Sequence, residues 1–215
     1  MKSFVITIKS NPKSVAVAER CIKSMPGHNV KMFDAFTPKD DPQKLFKEKG
    51  LPTKNFIEKF SYFESGLSAF LSHYTLWEKC VEDNVEYQIF EHDAVAINNL
   101  PLHINYDKII SLGQPSYGKY NTPMFIGVGP LTSKPYFPGA HAYRLKPDGA
   151  KLLIETAKEM AGPTDIFLRR QLFPFLQEFY PWPVMANDSF TTLQKEAGCL
   201  AKHNWKGGRN YEILQ

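Results

Sequence analysis

Between residues 66 and 83 the apolar positions Leu67, Phe70, Leu71, Tyr74, Trp77 and Val81 recur at three- and four-residue spacing. That period marks a helix with one apolar face. Asp83-Asn84 supplies a turn, and residues 85–90 read as a buried strand. Side chains alternate along a strand, so Glu91 and Asp93 point one way and His92 the other. Upstream, residues 4–8 form a first strand, and Ser10-Asn11-Pro12 caps a helix running to about Ser24, closed by Pro26-Gly27. A second strand covers 30–36 and a short helix 42–49.

Downstream, the pattern predicts a strand over 108–112, a long Pro- and Gly-rich loop over 114–138, and a strand over 140–145. Pro147 opens a helix through Met160, and Gly162-Pro163 stops it. Thr164 then reads as the cap of a further helix from Asp165 to about Leu176, followed by an extended segment over 180–186 and a polar, basic tail over about 195–215. Strands alternating with helices predict an α/β fold with a mostly parallel central sheet flanked by helices. No internal repeat or linker divides the chain, so a single domain over 1–215 is expected.

An open α/β sheet presents the carboxyl ends of its strands to the ligand crevice. Two acids on one side of such an end suit a hard divalent cation, and the cation in turn suits a diphosphate. Glu91 and Asp93 therefore point to a nucleotide-sugar site. An isolated E-x-D is otherwise no more than two solvated acids.

Composition narrows the classes. The hydrophobic fraction is 43% over 215 residues, ordinary for a soluble globular protein. No apolar stretch near the start is long enough for a signal-peptide core or a membrane span. Cys21, Cys80 and Cys199 are odd in number and share no metal-like spacing, so no disulfide framework is expected. The expected location is the cytosol, or the periphery of a membrane surface. A formal net charge of +4 is compatible with phosphate-bearing ligands. It does not call for a stable nucleic-acid partner.

The block Gly66…Ser72-His73…Trp77, followed by a hydrophobic strand ending in Glu91-x-Asp93, resembles glycosyltransferase family 25, which includes lipooligosaccharide and procollagen galactosyltransferases. The family pattern is G-x-x-[AG]-C-x-x-S-H-x-x-x-W followed by L-E-D-D, one residue longer between its Gly and its Ser than the block from Gly66 to Ser72. Phe70 stands where the family often has Cys, and His92 replaces its middle Asp. Flanking pieces are similar in order: Phe33-Asp34-Ala35-Phe36, Asp107 to Gly113, Gly139 to Leu145 with Gly149 to Leu153, and Pro163-Thr164-Asp165. The likeness covers residues from about 3 to about 190.

The resemblance implies a type A, nucleotide-diphospho-sugar transferase fold. It also implies metal-dependent, inverting transfer of a hexose, galactose foremost, from a UDP-sugar to a hydroxyl of a glycan, glycolipid or protein. The degenerate alternative is a nucleotide-sugar binding module without turnover. Glu91 and Asp93 are the expected ligands of Mn²⁺ or Mg²⁺. Thr7, Arg20, Asp34, Ala35, Gly66, Ser72 and His73 are the expected donor-binding residues. An inverting transfer needs a carboxylate beside the acceptor hydroxyl. Asp165 is the first candidate for that base, against a plain helix-start acid, and Asp188 the second.

Overall fold

A computed structural model describes residues 1–57, 61–187 and 190–193, and the backbone of 212–213. β1 (Lys2–Thr7) leads into α1 (Pro12–Ser24), where the Asn11 side chain accepts from the amides of Lys13 and Ser14. These are orphan donors of the first turn, and Pro12 has no N–H to leave unsatisfied. β2 (Val30–Asp34), a 3-10 turn (Pro38–Asp40) and α2 (Pro42–Glu48) follow. The long α3 (Phe63–Asp83) ends at Asn84, whose φ of 50° gives a left-handed cap. The chain continues as β3 (Tyr87–Glu91), β4 (Ala94–Ala96), β5 (Ile109–Ser111), β6 (Gly127–Pro130), β7 (Ala142–Leu145), α4 (Pro147–Met160), α5 (Thr164–Phe167), β8 (Gln177–Tyr180) and β9 (Val184–Ala186).

Seven strands form one sheet in the order β2-β1-β3-β7-β5-β8-β6. β1, β2, β3, β5 and β8 run one way; β7, in the middle, and β6, at the edge, run the other. The fold is mixed α/β. The expected parallel arrangement holds for most strands, but half of the pairings are antiparallel because β7 is inserted between β3 and β5 and β6 runs against β8 at the edge. β4 and β9 make a separate antiparallel pair. One apolar cluster, with Phe70, Trp77, Tyr143 and Phe167, lies on the α3–α4 face of the sheet; a second, with Val5, Ala18, Cys21 and Ile110, lies on the α1 face.

Four expectations are corrected. Val81 is 36% exposed and not part of the buried core: its spacing fits the apolar face, but it lies in the last turn of the helix, which ends at Asp83. The 114–138 segment is not a loop throughout: it contains β6, which pairs with β8 from Gly127↔Tyr180 to Pro130↔Gln177. The helix from Asp165 to Leu176 is a single turn, α5. Arg169 leaves it to bridge Tyr136, and Pro174 could not continue a helix. Thr164 does not cap that turn; Pro163 is at the cap position, with no side-chain hydrogen bond there.

Candidate active site

The carboxyl ends of β1, β2 and β3 lie side by side, since Thr7 registers with Asp34 and Ile6 with Glu91. Thr7 is fully buried and its hydroxyl donates inward to the Val5 carbonyl at 3.2 Å, so only its backbone borders the crevice. Its carbonyl accepts from Ala35 N at 2.8 Å, and the exposed Asp34 carboxylate accepts from Lys9 N at 3.1 Å. Ser72, on α3, accepts from Phe36 N at 3.0 Å and donates to the Ser68 carbonyl at 2.9 Å. Its hydroxyl ties α3 to the segment just after β2. Gly66 lies in the first turn of α3, and an added Cβ would meet only Phe56 and Ser61 at ordinary contact distance.

At the end of β3, His92 and Glu91 diverge as alternation requires. The His92 Nδ1 lies 2.9 Å from Ser14 Oγ on α1, and its ring packs on Phe190 at 5.3 Å. Ser14 Oγ also accepts from Ile8 N at 3.0 Å. Burial lowers the His92 pKa, consistent with a neutral ring. His92 is thus a strut between β3 and α1.

Glu91 faces α3. Its Oε1 lies 3.2 Å from His73 Nε2, and the other His73 nitrogen lies 2.9 Å from the Tyr143 hydroxyl, which also accepts from Trp77 Nε1 at 2.9 Å. His73 is 1% exposed, and burial pulls its pKa down to about 3. The contact with Glu91 is therefore a hydrogen bond with a neutral ring and not an ion pair. Burial raises the Glu91 carboxyl well above the usual range, with the charges of Asp93 and Asp165 adding to it, although 35% of the side chain remains accessible. Three carboxylates thus share one end of the sheet closely enough to repel one another.

Asp93 sits in the turn between β3 and β4, where its carbonyl accepts from Asn187 N at 2.9 Å. Arg20 does not stand free beside the crevice: its terminal nitrogen donates to the Asn187 carbonyl at 2.9 Å. Asp188 and, apart from the backbone of 212–213, the basic tail lie outside the described residues.

Asp165 is brought in by Phe167, two residues on, which is buried between Trp77 (5.7 Å, stacked) and Phe70 (5.6 Å, edge-on). The Asp165 carboxylate accepts from the Tyr117 hydroxyl and from Ile166 N at 2.8 Å. Burial raises its pKa, while Tyr117 and the Lys134 charge work in the opposite direction. Lys134 donates to the Tyr117 carbonyl at 2.6 Å and lies 4.8 Å from the Tyr117 ring and 5.3 Å from that of Tyr136. Glu178, only 1% exposed, holds this segment by accepting from Thr132 N at 2.6 Å and Ser133 N at 2.8 Å.

Tyr117 and Lys134 were not singled out by sequence, and Tyr143 stood only within the Gly139 to Leu145 block. His141 was missed as well. Its imidazole is 2% exposed and wedged between Gly113 and Gly139, whose added Cβ atoms would fall 2.5 and 2.8 Å from its nitrogens.

Hard oxygen ligands fit a divalent cation, and the mutual repulsion of the acids is what a cation would relieve. Among the described residues no three His, Cys, Asp or Glu side chains form a complete cage. A cation here would draw its remaining ligands from phosphate and water.

The acids lie at the carboxyl end of the sheet, where an open α/β fold presents its ligand crevice. The family model for glycosyltransferase family 25 (LPS biosynthesis protein) matches residues 1–168, so the chain belongs to that family and is a glycosyltransferase. Among solved structures, mouse xyloside xylosyltransferase 1 in its apo form is similar at 11% identity over 81% of this chain and 83% of that chain, with a TM-score of 0.41, a likeness too loose to build on. No curated protein matches. Among the described residues no helix is long and apolar enough to cross a membrane.

Proposed function

We propose that this chain transfers a hexose, galactose foremost, from a UDP-sugar to an acceptor hydroxyl with inversion, on a type A nucleotide-diphospho-sugar transferase fold in the cytosol or at a membrane surface. The observation that carries this reading is the convergence of Glu91, Asp93 and Asp165, with both Glu91 and Asp165 raised by burial. Asp93 would hold Mn²⁺ or Mg²⁺, with Glu91 toward the ribose or a bound water. The bound cation supplies charge neutralisation for the departing diphosphate. The backbone at Thr7, Asp34 and Ala35 borders the nucleoside side.

Asp165 is the base. An upward-shifted carboxylate holds the acceptor's proton more firmly than a solvated one, and that helps a general base acting near neutral pH. Tyr117 and the Ile166 amide fix its orientation through two hydrogen bonds. Inversion follows if the acceptor oxygen attacks the face of the sugar opposite the diphosphate while Asp165 removes its proton. Acceptor hydroxyls of glycans, glycolipids and proteins all meet that requirement.

A thermal-shift panel of nucleoside diphosphates, with Mn²⁺ and with chelator, tests the reading. A ligand that binds only the folded state raises Tm by mass action. UDP should raise Tm more with Mn²⁺ than with chelator, and Asp93→Asn should remove the metal-dependent part. No shift with any nucleotide under either condition overturns the reading.

A further inference from the structure

The family signature residues Trp77, His73 and Glu91, with Tyr143 from the following block, form one hydrogen-bonded chain across α3, β3 and β7. Its direction is fixed by chemistry. The Trp77 indole can only donate, so the Tyr143 oxygen accepts at 2.9 Å. The buried Tyr143 proton then needs an acceptor, and His73 Nδ1 lies 2.9 Å away. A ring that accepts at Nδ1 carries its proton at Nε2, which donates to Glu91 Oε1 at 3.2 Å. The opposite tautomer would turn a bare Nε2 toward the carboxylate and leave the buried Tyr143 proton without an acceptor, two penalties of the kind buried polar groups avoid.

We propose that His73 is a positioning residue for Glu91. It spends Oε1 on a fixed hydrogen bond and leaves Oε2 alone to face the donor. This rests on the donor site proposed above. It assigns His73 no contact with the sugar nucleotide, and makes the S-H-x-x-x-W motif a device for orienting the first acid of E-x-D. A rigid, oriented carboxylate is the kind of supporting contact whose loss weakens a site without removing a ligand.

Two measurements test it. In the protein without ligand, nitrogen-15 NMR of labelled histidine should find His73 protonated at Nε2 at neutral pH. Protonation at Nδ1, or an imidazolium, overturns the proposal. In the second, calorimetry of UDP with Mn²⁺ compares wild type, His73→Leu, Glu91→Gln and the double variant. Each single change should weaken binding roughly tenfold, and the double variant should be no weaker than Glu91→Gln alone. His73→Gln, whose amide can donate from nearly the same point, should recover most of the affinity. Additive losses, or a Gln variant as poor as Leu, overturn it. If His73→Leu does not fold, Tyr143→Phe takes its place in the cycle. If wild type binds no UDP at all, the donor reading falls, while the tautomer still decides whether His73 orients Glu91.

Discussion

His73 Nε2 and Glu91 Oε1 lie 3.2 Å apart at the carboxyl end of the sheet, with the imidazole neutral and the carboxyl raised by burial and by two neighbouring acids. A carboxyl whose folded pKa exceeds its unfolded value makes the native state bind more protons. Stability then falls as pH rises from the unfolded pKa through the folded one. Glu91→Gln removes the ionisation and keeps an oxygen that can accept from His73. It should raise Tm by a few degrees at pH 7 to 8, with the gain shrinking toward pH 4. A lower Tm at neutral pH would contradict the charge crowding described here.

Histidines act in the opposite sense. Burial lowers the pKa of His28, His73, His92 and His141, to about 3 for His73. A depressed histidine leaves the unfolded chain binding more protons below its own pKa, so stability is full above about 6.5 and lost as pH falls toward the folded value. For His73 this amounts to about 1.4 kcal/mol per pH unit below about 6.5, so denaturant unfolding between pH 7 and 4 should reveal acid lability. His73→Gln should flatten that slope measurably.

Gly113 faces His141 so closely that a Cβ would lie 2.5 Å from Nε2. Gly113→Ala should cost about 1 to 3 kcal/mol, the usual range for forcing extra atoms into a packed interior. His141→Ala added to it should relieve the clash, so the two changes together should cost less than their sum. Equilibrium unfolding of the three variants measures this directly.

Asp165 is oriented by Tyr117. Asp165→Asn should leave UDP affinity near wild type while kcat falls by about 10² or more, the range of general-base contributions. Tyr117→Phe keeps the base but frees its orientation, and should lower kcat by a smaller factor, roughly tenfold. Unchanged turnover in Asp165→Asn, with a stability loss only, would make the residue a helix-start acid.

The sequence by itself determined the helix–strand block at the centre of the chain. Leu67, Phe70, Leu71, Tyr74 and Trp77 repeat at the helical period, and the turn at Asn84 ends the helix where its φ turns positive. Alternation alone separated Glu91 from His92, and the structure turns one to α3 and the other to α1. Those signals are local, written in spacing and in residue types that only certain backbone states tolerate.

What lies between residues far apart in the chain was decided by tertiary packing. No local pattern announces that β7 enters the sheet reversed between β3 and β5, because strand order depends on which apolar faces must cover one another. The turn after Pro163 looked like the start of a long helix. Arg169 instead bridges Tyr136, and Phe167 is buried against Trp77. Tyr117 and Tyr143 meet Asp165 and His73 across 48 and 70 residues. A hydroxyl's partner at such a distance follows from the burial that forces it to be satisfied, and burial exists only once the chain has folded.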